Sequence, residues 1–342
     1  MYCSKWFPTL SRTANGRLSH LLLSTDVHHD HFEPMATSWA GSLGSPNARP
    51  PAVHLSEKLH AFALYKESSQ VRSLVAIYFS SHTPLSFAMK SLIAVSLVLV
   101  SGAAARTFTV YNACPFTIWP AMFTDLNVAP NVPAFTTGWE AKAWTKVSFT
   151  VPDNWKAGRI WGRRNCNFAT NPGPNSCLTG GCNGGLQCNP RTGTGVPPAT
   201  VAEWTLEGAG NQDWYDVSLV DGYNLPMRIS NNKGCPVAEC AVDLGPNCPA
   251  PLKGPYDSTG FPVGCKSACS ANLDGNPGNS RNCCSGSFST PATCPASGVA
   301  HYSYFKNNCP RSYAYAYDES SGTALWTCPS SSKADYTLTF CP

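Results

Sequence analysis

Cysteine is the residue type whose number and spacing point most directly to chemistry. The chain of 342 residues has 17 cysteines, and all except Cys3 lie from Cys114 to Cys341. An even, dense set in a chain with few charges predicts eight disulfides made in an oxidising compartment. Zinc binding is the alternative, but it needs regularly spaced pairs or histidines, and only His301 follows Cys114. The cysteines therefore favour a cross-linked exported protein.

Acidic side chains are a second group that could do chemistry, because glycoside hydrolysis uses one carboxylic acid and one carboxylate. Glu203 and Glu207 share the polar face of a predicted strand, and such a face is usually just solvated. Asp216 and Asp221 lie on opposite faces if their strand runs straight. Only a bend at Asp221 and Gly222 would bring the two carboxylates together, and aspartate before glycine is common in ordinary turns. Residue types alone leave both the solvated and the catalytic role open.

Two other patterns do not indicate a site. His301 lies near Ser303, but no orienting acid or sharp nucleophile turn accompanies them, so a catalytic triad is not predicted. The glycine-rich run 180–185 lacks the lysine and the helix of a phosphate-binding loop. The sequence therefore calls for no metal and no organic cofactor.

The elements that must position these side chains are predicted to be short strands. Alternating apolar and polar residues, with Gly, Pro and Asn in the gaps, predict strands at 106–118, 144–151, 159–163, 201–207, 215–220 and 336–340. The best helix candidate is short, at 264–271, where Cys265 and Cys269 stand one turn apart. The pattern predicts a mostly β fold of the sandwich or barrel type.

Two long stretches, 165–198 and 235–309, are rich in Gly, Pro, Asn and Cys and contain few recognisable strands. Such stretches bury too little apolar surface to offset chain entropy, and cross-links compensate for this. Adjacent Cys283 and Cys284 are expected to pair with other cysteines, because a bridge between neighbours strains the peptide between them. Spacing alone leaves the connectivity open.

An export signal is predicted at 89–105. Met89 and Lys90 precede a ten-residue apolar run, 91–100, and the small residues before Arg106 form an A-x-A cleavage site. The apolar run is too short to span a bilayer, which takes about 20 residues. We expect cleavage after Ala105. Residues 1–88 differ in composition and are expected to be an over-extended gene model upstream of a start at Met89; a real leader that is removed or disordered is the alternative.

The charge pattern argues against a nucleic-acid partner. The whole chain carries a net charge of +4, but residues from Arg106 onward contain 16 Lys and Arg against 15 Asp and Glu. There is no basic stripe or charge run of the kind that nucleic acids or anionic membranes select.

Several motifs in a fixed order resemble the thaumatin-like family across 106–342. Besides the sixteen cysteines, they are GRIWGR at 158–163, Cys177-x4-Cys182-x5-Cys188, Pro198-x4-Glu203, DGYNLPM at 221–227, the doublet Cys283-Cys284 and the ending Phe340-Cys341-Pro342. The stretch 119–144 is more similar to fungal members than to plant ones. Gly181 departs from the pattern, because the family usually has an acidic residue directly before Cys182.

The resemblance implies a fold of three parts: a β-sandwich core, a disulfide-rich loop subdomain with a short helix, and a small third loop subdomain. It also implies a disulfide pairing by order. The implied pairs are Cys114–Cys341, Cys166–Cys177, Cys182–Cys188, Cys235–Cys328, Cys240–Cys309, Cys248–Cys265, Cys269–Cys283 and Cys284–Cys294.

The resemblance further implies an acidic cleft between the sandwich and the loop subdomain. The matching positions are Arg159, Glu203, Asp216, Asp221 and Asp318. We expect Glu203 to act as general acid and Asp216 as base or nucleophile, since crowded carboxylates raise one another's pKa. Arg159, Asp221 and Asp318 are expected to bind sugar hydroxyls.

Two functions follow as expectations. The first is a secreted, monomeric endo-β-1,3-glucanase that acts on cell-wall or storage glucan. The second is a non-catalytic antifungal defence protein that binds glucan or perturbs membranes through the same cleft.

Overall fold

The computed structural model describes residues 105–170 and 172–342, so the predicted extension 1–88 and the signal segment up to residue 104 lie outside the described residues. The strands are β1 (Ala105–Asn112), β2 (Ala121–Thr124), β3 (Thr145–Pro152), β4 (Gly158–Trp161), β5 (Arg164–Cys166), β6 (Cys177–Thr179), β7 (Val201–Gly208), β8 (Gln212–Ser218), β9 (Met227–Asn231), β10 (Ala238–Cys240), β11 (Trp326–Pro329) and β12 (Tyr336–Phe340). One α-helix, α1 (Tyr302–Asn308), is found in this part of the chain. Short 3-10 turns occupy Ala209–Asn211, Ala250–Leu252, Gly286–Phe288, Ala296–Gly298, Asp318–Ser321 and Ser330–Ser332.

Ten of the strands form two five-stranded sheets. The first sheet has the order β10-β9-β12-β1-β3, and the second has the order β11-β8-β7-β4-β2. Only β1 and β12 pair in parallel within the first sheet. Strands β5 and β6 form a separate two-stranded ribbon. The parallel pair places the first and the last strand of the described chain side by side.

The two sheets pack face to face through large aromatic side chains. Phe108 on β1 lies 5.1 Å from Trp204 on β7, between ring centroids. Tyr336 on β12 lies 5.3 Å from Tyr215 on β8. All four side chains are almost fully buried, and aromatic pairs at such distances add to the stabilisation from buried area. The fold is therefore a β-sandwich, as predicted.

A buried ion pair also joins the sheets. The Arg106 guanidinium, on β1, contacts the Asp213 carboxylate, on β8, and both side chains are fully buried. Asp213 also accepts hydrogen bonds from Tyr336 Oη at 2.9 Å and Ser330 Oγ at 2.8 Å. Arg106 Nε donates in addition to Asp153 Oδ1 at 3.1 Å. The charges are compensated inside the sandwich, which a buried pair requires.

The long alternating segments became strands close to the predicted positions. The predicted strand 336–340 is β12, and 201–207 is β7 with one more residue. The strand predicted at 106–118 ends at Asn112, and its remainder is a loop with one isolated bridge at Ile118. Strands β2, β5, β6, β10 and β11 have three or four residues, too few to show a period, and were not predicted. The five-residue strand β9 was also not predicted.

The helix prediction at 264–271 is wrong. Cys265 is extended there and exchanges two backbone hydrogen bonds of 2.8 Å with Tyr223, and the residues that follow form successive turns. The helix lies instead at Tyr302–Asn308. Cys265 is tied to Cys248 and Cys269 to Cys283, so cross-strand pairing and sulfur fix this segment in place of a helical turn.

Eight disulfides hold the loops, and their pairing is the one that the resemblance implies. The bridges are Cys114–Cys341, Cys166–Cys177, Cys182–Cys188, Cys235–Cys328, Cys240–Cys309, Cys248–Cys265, Cys269–Cys283 and Cys284–Cys294. Cys182–Cys188 staples the loop over the outer face of the second sheet. Five bridges lie in or anchor 235–309, the stretch in which apolar burial is sparse.

Residues 105–170 and 172–342 contain neither a membrane-spanning helix nor a cluster of metal-binding side chains. In these residues no helix combines the length and apolar character that crossing a membrane requires. Within the same residues, no three His, Cys, Asp or Glu side chains are grouped to hold a metal ion.

Candidate functional site

Three of the expected site residues form one row across the second sheet. Arg159 on β4 is directly opposite Glu203 on β7, and Glu203 is directly opposite Asp216 on β8. Their neighbours Trp204 and Tyr215 point into the sandwich core. Side chains alternate between faces along a strand, so the row of Arg159, Glu203 and Asp216 lies on the outer face.

Arg159 and Glu203 form an ion pair. Arg159 Nη2 lies 3.1 Å from Glu203 Oε1, and the side chains are 15% and 21% exposed. The pair is partly shielded from water yet reachable from outside. Glu207, which the sequence placed on the same face, is displaced by a register shift between Thr205 and Gly208, and it pairs with Lys333 at 2.9 Å.

Asp216 is in the row but is only 3% exposed. It lies near Tyr313, whose pKa is raised by burial and by the carboxylates of Asp216, Glu319 and Glu203. A base or nucleophile must contact water or substrate. The burial of Asp216 therefore argues against the catalytic role that we expected for it.

Asp221 lies in the turn that follows β8, beyond the row of Arg159, Glu203 and Asp216. Strand β8 ends at Ser218, and Gly222 adopts a φ of +90° with its N–H donating to Leu219 O at 2.9 Å. Burial raises the pKa of Asp221 to about 6; the Arg159 guanidinium opposes this rise and the Glu203 carboxylate adds to it. The charges of Arg159 and Glu203 therefore both act on the Asp221 carboxyl.

Asp318 is not available to a ligand. Its side chain is 1% exposed and forms an ion pair with Lys306 Nζ at 2.9 Å. The same carboxylate accepts hydrogen bonds from Tyr302 Oη at 2.8 Å and from the Ala314 N–H at 2.9 Å. These partners are all inside the protein, so the geometry does not support the sugar-binding role expected of Asp318.

Glu319, the neighbour of Asp318, was not predicted from the sequence as a site residue. Glu319 is exposed, and Tyr313 Oη donates to Glu319 Oε1 at 3.1 Å. Tyr313 is held by backbone hydrogen bonds to β8 and to Leu219, which directs its ring toward the carboxylate row. The two acids are adjacent in sequence, and no local pattern distinguishes the buried one from the exposed one.

A cleft of about 400 Å³ opens beside Asp221. One wall is the end of β8, and the other is the loop-rich region, contributed by Ser267, Ser270, Asn272, Asn282, Phe305 and Tyr315. A larger, shallow depression of about 790 Å³ lies on the outer face of the first sheet around Arg228 and Arg311, and none of the expected site residues lines it.

The site therefore combines two kinds of carboxyl group. Asp221 retains a proton into weakly acidic solution, whereas Glu203 is paired with a cation. A carboxyl group with a raised pKa near a second carboxyl group is an arrangement that hydrolysis of a glycosidic bond can use.

Comparisons with known proteins agree with the fold. The Thaumatin family model matches residues 112–342. Thaumatin-like protein 1 of Arabidopsis thaliana is 38% identical over 273 residues, covering 77% of this chain and 96% of that protein. Pathogenesis-related protein 5 of Arabidopsis thaliana is 42% identical over 242 residues, covering 70% of this chain and 91% of that protein. Both are plant proteins, so they do not support the fungal similarity expected from 119–144.

Among solved structures, the thaumatin-like xylanase inhibitor TLXI has 20% sequence identity and a TM-score of 0.34, covering 69% of this chain and 99% of that one. A likeness of this size says nothing about function. The family match, the two relatives and the sandwich with its eight bridges agree: the chain belongs to the thaumatin family.

Proposed function

We propose that this protein is secreted and hydrolyses β-1,3-glucan in cell walls, with Asp221 as the proton donor and Glu203 as the second carboxylate. Asp221 gives its proton to the glycosidic oxygen as the bond to the anomeric carbon breaks. Glu203 either takes a proton from the attacking water or attacks the anomeric carbon itself. This assignment reverses the acid role that the sequence suggested for Glu203 and replaces Asp216.

One observation carries the proposal: Asp221, a partly buried residue whose carboxyl has a raised pKa, borders the cleft. A general acid works best when its pKa lies near the working pH, and Asp221 has a pKa of about 6. Glu203 is assigned the second role because its carboxylate forms an ion pair with the Arg159 guanidinium 3.1 Å away.

A glucan-binding defence protein without hydrolysis is the second candidate. The surroundings of the other acids favour this candidate. Asp216 and Asp318 are buried, and Glu203 forms an ion pair with Arg159. In that case the cleft holds the sugar and no bond breaks. The relatives named pathogenesis-related are compatible with either candidate.

Secretion is part of the proposal. We take 89–105 as the signal peptide and 106–342 as the mature domain, because eight disulfides need an oxidising compartment. N-terminal sequencing of the natural product should begin at Arg106. Any peptide from 1–88 in the natural product would contradict this boundary.

The function is tested by reducing-end release from a soluble β-1,3-glucan at pH 5. We expect the parent protein to release ends and Glu203→Gln to lower kcat by about a hundredfold or more, the contribution of a positioned proton-transfer group. Glu140→Gln is the matched control, because Glu140 is exposed and remote from the row.

If the parent binds glucan but releases no ends, the binding candidate replaces the enzyme. If the parent neither binds nor cleaves it, both candidates are wrong.

A further inference from the structure

The loop-side wall of the cleft carries two neutral polar groups next to one disulfide. Ser270 follows Cys269 and Asn282 precedes Cys283, and all four residues line the cleft. The Cys269–Cys283 bridge sets the two Cα atoms 4.6 Å apart. The bridge therefore ties together the two backbone segments that carry Ser270 and Asn282.

Asn282 is oriented by its own carbonyl. Asn282 Oδ1 accepts a hydrogen bond from the Ala300 N–H at 2.9 Å. The amide NH2 of Asn282 has no hydrogen-bond partner among the described residues. Because the amide oxygen is held by a hydrogen bond and the NH2 group is not, the two N–H donors can bind a ligand.

Ser270 offers the complementary function. Its hydroxyl donates to Ser267 O at 3.2 Å and accepts from Ser267 Oγ at 3.1 Å. One lone pair of the hydroxyl oxygen remains for a further donor. A sugar hydroxyl is both donor and acceptor, so Asn282 and Ser270 together match it.

The charge of the lining is the second observation. Of the described residues around the cleft, Asp221 is the one acid, and no Lys, Arg or His lines it. A ligand with carboxylates would meet Asp221 with no cation in the cleft lining, since the nearby Arg159 is already paired with Glu203, and burying such charges unpaired is costly. The lining fits an uncharged ligand.

We propose that Ser270 and Asn282 form a second sugar-binding subsite opposite Asp221, one that selects uncharged glucan over glucan with acidic substituents. This inference rests on the proposed function and names the chemical class of its substrate. Because hydrogen bonds to Ala300 and Ser267 already hold the two side chains, little side-chain entropy is lost when the sugar is bound.

The test is calorimetric titration with a β-1,3-linked glucose hexamer and with its carboxymethylated form. Asn282→Asp keeps the oxygen that accepts from Ala300, removes the amide donors and places a charge opposite Asp221. We expect its Kd for the neutral hexamer to rise about fivefold or more, as for one lost hydrogen bond. We expect the parent to bind the carboxymethylated form at least tenfold more weakly than the neutral one.

Asn276→Asp is the matched control. It adds the same charge to the same loop, but Asn276 is exposed and does not line the cleft. Its Kd should stay within about twofold of the parent value. In addition, the new carboxylate of Asn282→Asp should raise the pKa of Asp221, so the loss of hydrolysis at high pH should move to higher pH.

The outcomes separate the two claims. If the parent binds the neutral hexamer and Asn282→Asp binds it as tightly as Asn276→Asp does, the subsite is wrong and the proposed function stands. If the parent binds both hexamers equally, the selection for uncharged glucan is wrong. If the parent binds neither and cleaves neither, the proposed function fails and the subsite fails with it.

Discussion

At the residue scale, environment separates acids that look alike in the sequence. Three aspartates have the same side chain but different surroundings. Asp216 and Asp318 are buried, whereas Asp221 borders the cleft. Asp318 is compensated by Lys306, whereas the raised pKa of Asp221 comes chiefly from burial. A carboxyl group that is destabilised in its charged form keeps its proton into weakly acidic solution and so can serve as a general acid, and the same property lowers the stability of the fold at neutral pH.

Asp221→Asn should therefore stabilise the protein at neutral pH. The carboxyl has a higher pKa in the folded state, about 6, than in the unfolded chain, so the folded state loses stability as the pH rises from about 4 to 6. Above that window the charged form is unfavourable and asparagine avoids it. We expect a gain of about 1–2 kcal/mol at pH 7 and none at pH 4.

Denaturant unfolding at both pH values measures this difference. Asp274→Asn, an exposed acid on the loop, serves as the control. A gain of equal size at pH 4 and pH 7 would show that the substitution acts through packing and that the charge of Asp221 is not the cause.

How much of the site could be predicted differs from residue to residue. Motif order located Arg159 and Glu203, and both lie in the row. The roles of Asp216 and Asp318 depend on burial, which is set by segments distant in sequence. Glu319 accepts a hydrogen bond from Tyr313, and no spacing rule predicts this contact.

At the element scale, the site depends on the turn at Asp221 and Gly222. A Cβ on Gly222 would lie 2.8 Å from Cys265 O and 3.0 Å from Ser267 N, and the φ of +90° disfavours any side chain. The conformation and the close approach both require glycine. This turn brings Asp221 back toward Glu203.

Gly222→Ala should destabilise the protein by about 2–4 kcal/mol and reduce glucan cleavage. Gly260→Ala is the control, since Gly260 has a similar φ of +82° but nothing within 4 Å of the added Cβ. Its cost should be about 1 kcal/mol. Equal costs in thermal unfolding would show that crowding at Gly222 is unimportant.

The ion pair between the sheets gives another prediction. Asp213→Ala removes the carboxylate that contacts Arg106, Tyr336 and Ser330, and leaves a buried cation with less compensation. We expect a loss of about 3–5 kcal/mol. Glu239→Gln, in the more exposed pair with Arg228, should cost less than about 1 kcal/mol. Similar losses in denaturant unfolding would contradict this account.

Strands were predicted where alternation was long enough to be recognised. β7 and β12 have this pattern because one face packs in the core and the other is polar. The three-residue strands β5, β6 and β10 have no period to detect. They exist because disulfides and neighbouring strands hold them, which is long-range information.

At the scale of the whole molecule, sulfur replaces part of a hydrophobic core. Cys114–Cys341 closes a loop of 227 residues, and Cys182–Cys188 closes one of 6. In the chain-entropy account, replacing each pair by alanine should cost about 5 and about 2 kcal/mol respectively. Chemical denaturation measures both losses, and equal values would indicate that native packing outweighs loop closure.

The central claim is that Asp221 is the proton donor of a glucan hydrolase. The most direct test is the pH dependence of kcat/KM on a soluble β-1,3-glucan for the parent and for Asp221→Asn. The account predicts that parent activity falls about tenfold per pH unit above pH 6, as the Asp221 carboxyl ionises. It also predicts that Asp221→Asn binds glucan but does not cleave it. Parent activity that is constant from pH 5 to 8, or full activity in Asp221→Asn, would contradict the claim.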